Sequence, residues 1–181
     1  MKLYTVDTNY VKELYDVDSE VFYLDAGYET KPYVGIIVLS GSYKYFIPLT
    51  SSKHKHKTWK NVSKYTYLVY EFVNKKTMGP NSIYVTIKDS DKVKHIISVL
   101  DIKKMIPVPD GLFYEIAIDS ITEPVRKKVL SKEYAFLKPL YTDIQKKASD
   151  AYNEQIETGV IRSMFCNFKK LESVCDTYTS K

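Results

Sequence analysis

The feature that most limits what this chain can fold into is a change of hydrophobic period near residue 121. Upstream, short runs rich in β-branched and aromatic residues are separated by turn residues. Downstream, Phe136, Leu140, Ile144, Ala148, Tyr152 and Ile156 recur every four positions, a stripe that only a helix brings onto one face. Strands first and helices last predict an α+β fold: a twisted, mostly antiparallel sheet with helices packed on it and a helical C-terminal third. A length of 181 residues suits a single domain, residues 1–181, with its own core.

The punctuation refines this. A strand is expected over 2–6, then a helix to about residue 16 capped by Asp7 or Thr8. Residues 17–31 read as irregular, with a turn at Gly27. Runs 32–39 and 43–49 form a hairpin around Ser40-Gly41-Ser42, and Pro48 implies a sheet edge or a bulge. Residues 50–60 are a polar, basic loop or an irregular helix start. Further strands are expected over 65–73, 82–87, 95–108 (one long or two short) and 112–118. Val125, Val129 and Leu130 begin a helix that Pro139 kinks or divides from the next, Gly159 ends that one, and Asn167 caps a last helix over 168–177.

Several function classes find no support. No apolar run approaches the roughly 18 residues of a membrane span, so no membrane association is expected. An acid, Asp7, stands within the first few residues, unlike a signal peptide, which predicts a cytoplasmic protein. Cys166 and Cys175 read as reduced thiols, out of phase for a bridge within one helix. Neither they nor His54, His56 and His95 have zinc-site spacing, and no glycine loop for phosphates is present, so no metal and no cofactor is expected.

The net charge of +5 is modest, but it is unevenly placed. Between Glu29 and Glu71 there is no acid, while Lys31, Lys44, Lys53, Lys55, Lys57, Lys60 and Lys64 all lie there among many tyrosines and Trp59. Lysines attract phosphates and rings stack on unpaired bases, so His54, Lys55, Lys57, Trp59 and Lys60 are candidate RNA-binding residues. A solvated basic face beside ordinary strand tyrosines explains the pattern equally well. His54 and His56 have the chemistry of an acid–base pair, yet such histidines are more often part of a basic surface. Thr50, Ser51 and Lys53 follow a strand directly; hydroxyls beside a lysine can bind a phosphate and stabilise the charge that grows in phosphoryl transfer. Tyr28 and Lys31, at the edge of the preceding strand, can face the same spot.

Five blocks add a resemblance. They are Met1-Lys2-Leu3-Tyr4-Thr5, Tyr28 to Ile36, Lys44 to Ser51, Lys104-Met105-Ile106-Pro107, and Cys166-Asn167-Phe168 with Leu171-Glu172. In this order and spacing, from residue 1 to about 172, the chain resembles the ToxN/AbiQ family of type III toxin–antitoxin endoribonucleases, AbiQ-type members above all. The resemblance implies a MazF/Kid-like barrel sheet and a bacterial, cytoplasmic, metal-independent endoribonuclease acting in abortive infection and phage defence. It implies an RNA antitoxin, a repeated pseudoknotted RNA that the toxin itself processes, and cellular or phage RNA as substrate. Cleavage would leave 2′,3′-cyclic phosphate and 5′-hydroxyl ends. The family's active-site groups fall on Tyr28, Lys31, Thr50, Ser51 and Lys53. The loop beyond Lys53 diverges, so it assigns no role to His54, His56 or Trp59. Lysines of the helical third (Lys127, Lys128, Lys132, Lys138, Lys146 and Lys147) offer a second RNA surface, which would allow a higher-order protein–RNA assembly. A non-catalytic RNA-binding module of the same fold is the alternative.

Overall fold

A computed structural model describes residues 1–38 and 43–178. Its strands are Lys2–Val6 (β1), Tyr33–Val38 (β2), Lys44–Ser51 (β3), Thr66–Asn74 (β4), Tyr84–Thr86 (β5), Lys92–Asp101 (β6), Ile106–Pro107 (β7) and Phe113–Glu115 (β8). The helices are Thr8–Val17 (α1), Pro124–Leu137 (α2), Tyr141–Thr158 (α3) and Phe168–Thr177 (α4). All strand pairs are antiparallel, in the order β4-β6-β3-β2-β1-β8, with β5 added to β6 and β7 to β3. The expected α+β architecture and helical C-terminal third are present. The sheet is open among the described residues, so the barrel is not closed: β4 and β8 do not pair. The turn expected at 40–42 lies outside the described residues.

A run of apolar residues becomes a central strand. From Tyr45 to Leu49, β3 is buried at every position, as expected for a strand covered on both faces. Pro48 sits inside this strand rather than at a sheet edge, and the pairing explains how. The Leu49 N–H donates to the Pro32 carbonyl on the β2 side. Alternation sends the N–H that Pro48 lacks to the opposite side. There β7 pairs with Tyr45 and Phe46, and β6 takes over only from Leu49. The proline falls between two partner strands, where no donor is needed. Gly35 on β2 meets a different demand, since a Cβ there would lie 2.4 Å from the Phe46 ring.

The helices begin and end where their caps stand. The Asp7 carboxylate accepts from the Tyr10 N–H at 2.9 Å, and Asn167 accepts from the Lys170 N–H at 3.1 Å. Gly159 takes the left-handed conformation, φ 66°, that closes α3. Pro139 lies in the short turn that separates α2 from α3. The stripe behaves as its spacing predicts: Ile144, Ala148 and Tyr152 are buried, and Phe136, Leu140 and Ile156 pack against the same core. Against β4 and β6 lies α2, while α4 contacts α1 and α3. Cys166 and Cys175 are free thiols.

Candidate active site

The site is assembled from two backbone devices that converge. The first is the tight turn at residues 28–30. Gly27 enters it with φ 74°, a conformation that favours glycine, and the Lys31 N–H closes it on the Tyr28 carbonyl at 2.9 Å. Pro32 then holds Lys31 extended, with ψ 124°. The second is the end of β3, where Thr50 and Ser51 pair with Val99 and Ser98 of β6. Beyond it the chain turns at His54–Thr58, and that turn is fastened from within. The Lys53 N–H donates to His56 Nδ1 at 2.9 Å, and the His56 N–H donates back to the Lys53 carbonyl at 2.9 Å. Strand and turn together fix the direction in which Lys53 leaves the sheet.

Between the two lies a pocket of about 330 Å³ whose lining includes Tyr28, Lys31, Thr50, Ser51 and Lys53, walled by Phe22 and Leu24. Residues from two separate stretches of sequence, 22–32 and 49–53, are thus brought to one place. A larger depression of about 490 Å³ lies between β1, β8 and α2. It holds none of the groups singled out above, and its Lys2 is paired with Glu115. Ser51 also borders a second hollow of about 440 Å³ that runs toward His95 and Val129.

The electrostatics of the pocket are asymmetric. Lys31 is half-buried, its Nζ 3.8 Å from the centroid of the Phe22 ring. Burial pulls its ammonium down to about 8; Glu133 opposes this and the Lys53 cation adds to it. Desolvation, not a neighbouring cation, is therefore the main cause. Tyr28 is 3% exposed, and its hydroxyl is hydrogen-bonded to that of Tyr33. Burial pushes the phenol upward, against the effect of Tyr33, so Tyr28 is a poor proton donor. It is a wall of the pocket, packed against Phe22 and Tyr23.

The basic stretch looks different once folded. Lys44 is paired with Asp110 and Lys64 with Glu154, acids far away in sequence. Among the described residues Lys53, Lys55, Lys57 and Lys60 have no ion-pair partner. Tyr28, Tyr33, Tyr45 and Tyr67 are core residues, not stacking platforms. Trp59 is half-buried against the cluster of Leu68, Ile83, Ile96 and Val99, with Lys55 and Lys103 near its ring. With Lys60 it borders a separate hollow of about 310 Å³. Lys57 reaches over the Tyr84 ring, and His54 is exposed. His56 is neither surface nor an evident catalyst: it is buried, and burial followed by Lys55 and Lys53 lowers its pKa.

One acid near the site carries no signal in the sequence. Glu133 of α2 is 3% exposed, and its Oε2 makes no hydrogen bond. Burial raises its carboxyl to about 7, against the Ser98 hydroxyl and the Lys31 charge. It sits on a helix whose sequence shows only a polar Ser131-Lys132-Glu133 run, and nothing local marks it as buried.

The fold and this pocket can be set beside known proteins. A family model described as toxin ToxN, type III toxin–antitoxin system, matches residues 2–176. An endoribonuclease ToxN of Bacillus thuringiensis subsp. kurstaki is 26% identical over 99% of this chain and 85% of the relative. Endoribonuclease AbiQ of Lactococcus lactis subsp. lactis is 25% identical over 100% of this chain and 91% of its own. These identities do not rank one type above the other. A solved structure from work on type III toxin–antitoxin systems, concerning selective toxin inhibition by a non-coding RNA pseudoknot, is similar with a TM-score of 0.69 and 25% identity, over 97% of this chain and 95% of that one. The structure of AbiQ, described as a lactococcal anti-phage endoribonuclease, matches with a TM-score of 0.68 at 22% identity, over 97% and 95% of the two chains, and speaks for the fold alone.

Proposed function

The chain belongs to the ToxN toxin family of type III toxin–antitoxin systems, and on that premise we propose that it is an endoribonuclease toxin, one domain over residues 1–181, whose active site is the pocket holding Lys31, Thr50, Ser51 and Lys53. Its role would be abortive infection in the bacterial cytoplasm, with cellular or phage RNA as substrate. A folded repeat RNA would be its antitoxin, which it also processes. The relatives' names, and the likeness to a structure from work on toxin inhibition by an RNA pseudoknot, support this reading.

The observation that carries the chemistry is the Lys31 ammonium brought down to about 8 in a pocket with strand-borne hydroxyls. At neutral pH such a lysine is still mostly protonated, yet it gives up its proton more readily than an exposed one, which suits a general acid. The RNA 2′-oxygen attacks the adjacent phosphorus and its proton passes to water. Thr50, Ser51 and Lys53 hold the phosphate oxygens as negative charge grows on them. The bond from phosphorus to the 5′-oxygen breaks, and that oxygen takes its proton from Lys31. The products are a 2′,3′-cyclic phosphate and a 5′-hydroxyl. Tyr28 supports Lys31 by fixing the turn that carries it.

The test is cleavage of a single-stranded RNA by the purified protein in excess chelator, with the product ends mapped. Cleavage should persist, leave a cyclic phosphate, and stop when the one nucleotide before the cut is 2′-deoxy. Cutting of the deoxy substrate would mean that water attacks instead. Binding without any cutting would leave the non-catalytic RNA-binding module as the function.

A further inference from the structure

Glu133 is a carboxylate with no evident structural duty. It is one of few buried charged side chains, and its Oε2 is without a hydrogen bond although sealed from water. An uncompensated buried carboxylate costs stability, so its position calls for a reason. Three placements supply one. The Ser98 Oγ, also buried and without a hydrogen bond, lies beside it. Ser98 is the cross-strand partner of Ser51, so the carboxylate beside Ser98 lies on the same face of the sheet as the Ser51 hydroxyl. The pocket cation whose charge it feels is Lys31. Helix α2 is also tied to the Lys31 turn, as Arg126 reaches the Thr30 carbonyl at 3.5 Å.

We propose that Glu133 is a positioning residue of the RNA-cleaving site: an internal counter-charge, set next to Ser98 on the Ser51 face of the sheet, that keeps the Lys31 ammonium protonated in the pocket. The inference rests on the reading of Lys31 as the proton donor. Other charges do not substitute for it. Lys53 faces Lys31 from the loop after β3 and repels its proton. Lys132, next to Glu133, is held by Glu71 of β4 at 2.6 Å, and the same carboxylate contacts His95 of β6 at 3.0 Å. Arg126 is turned to a backbone carbonyl. Glu133 is the acid that opposes the loss of the Lys31 proton. Each group favours the charged form of the other: Lys31 holds the Glu133 carboxyl down against burial, and Glu133 holds the Lys31 ammonium up against burial.

The experiment is the pH profile of single-turnover RNA cleavage for wild type and Glu133→Gln, together with an NMR titration of the Lys31 ε-methylene in both proteins without RNA. Removing the counter-charge should move the alkaline fall in rate, and the Lys31 titration, to lower pH by about one unit. The rate at pH 8 should then drop several-fold while the rate at pH 6 changes less than about twofold. A purely structural role would lower the rate at all pH values and leave Lys31 unmoved. Glu133→Asp keeps the charge and should restore most of the profile. If Glu133→Gln does not fold, Ser98→Ala carries the same test: it removes the hydroxyl that favours the carboxylate and should shift both readouts in the same direction by less. An unmoved Lys31 titration in a folded Glu133→Gln protein overturns the proposal. Because the NMR readout needs no RNA, it remains decisive even if the protein proves not to cut RNA.

Discussion

Among single residues, the proposed site divides into groups assigned to the phosphate and groups assigned to tune them. Ser51 is exposed at the end of a paired strand, so its hydroxyl is placed without being needed for the fold. Ser51→Ala should therefore reduce RNA cleavage by at least about a hundredfold with its melting temperature unchanged; full activity in the folded variant would remove Ser51 from the site. Glu133 gives the opposite signature. Its folded-state carboxyl is raised from 4.5 to about 7, so the folded protein holds that proton more tightly than the unfolded chain. The group's contribution to stability is complete below about pH 4.5 and is lost as pH rises through about 7. Glu133→Gln should abolish this loss and be more stable than wild type at pH 8, by on the order of 1–3 kcal/mol. Denaturant melts at pH 5 and pH 8 measure it, and equal differences at both would contradict the assignment. A residue that lowers stability while raising activity at pH 8 is the pattern expected of a functional site.

At the scale of elements, buried polar side chains do the fastening. His56 holds the turn after β3 by accepting the Lys53 N–H. His56→Ala would leave that donor without its acceptor and free the loop that aims Lys53. A stability loss of roughly 1–3 kcal/mol and weaker substrate binding are expected, with the alkaline limb set by Lys31 unmoved. A shift of that limb in His56→Ala would instead make the histidine part of the proton pathway. On the other side of the fold Glu172 of α4 accepts from the Tyr45 hydroxyl at 2.9 Å and the Tyr152 hydroxyl at 2.8 Å. This ties the last helix to β3 and α3. Gln155 complements it, accepting from the Phe168 N–H at 2.8 Å and donating to the Cys166 carbonyl at 3.0 Å. Glu172→Ala should cost about 2–4 kcal/mol by leaving two phenols unpaired, read as a shift of the urea midpoint with cleavage per folded molecule intact.

At the scale of the whole molecule, folding redistributes charge. Acids from distant segments come to Lys44 and Lys64, and three of the six helical lysines are engaged: Lys127 with the Asp119 carbonyl, Lys132 with Glu71, Lys147 with Asp143. The second RNA surface expected on the helices is correspondingly reduced. Within the basic stretch, Lys53, Lys55, Lys57 and Lys60 stay without an ion-pair partner among the described residues, and Lys53 lines the pocket. Changing Lys55, Lys57 and Lys60 together to Ala should weaken binding of the repeat RNA. It should also make the salt dependence shallower, by roughly 0.7 to 0.9 log units per log unit of salt for each lysine–phosphate pair removed. Affinities measured across a salt series decide this; an unchanged slope would put the RNA on another face.

The element order, a first helix cap at Asp7 or Thr8, the cap at Asn167, the stop at Gly159 and the apolar stripe of α3 were all legible in the chain, and the structure settled the first cap on Asp7. These depend on neighbours three or four residues away, and local sterics and hydrogen bonding settle them. The sequence also singled out five residues that share the lining of one pocket, three of them, Thr50, Ser51 and Lys53, through the physical argument of hydroxyls at a strand end beside a lysine. Only the tertiary structure decided which of those groups are buried, and so which proton is labile. It buried Tyr33, Tyr45 and Tyr67 of the basic stretch, made His56 a fastener, found acids for Lys44 and Lys64, and set Glu133 next to Ser98 beside the pocket. Each of these depends on desolvation and on charges brought together across the fold, from Lys31 to Glu133 and from Lys64 to Glu154. Desolvation and long-range pairing are properties of a packed three-dimensional arrangement, and no local pattern in the chain encodes them.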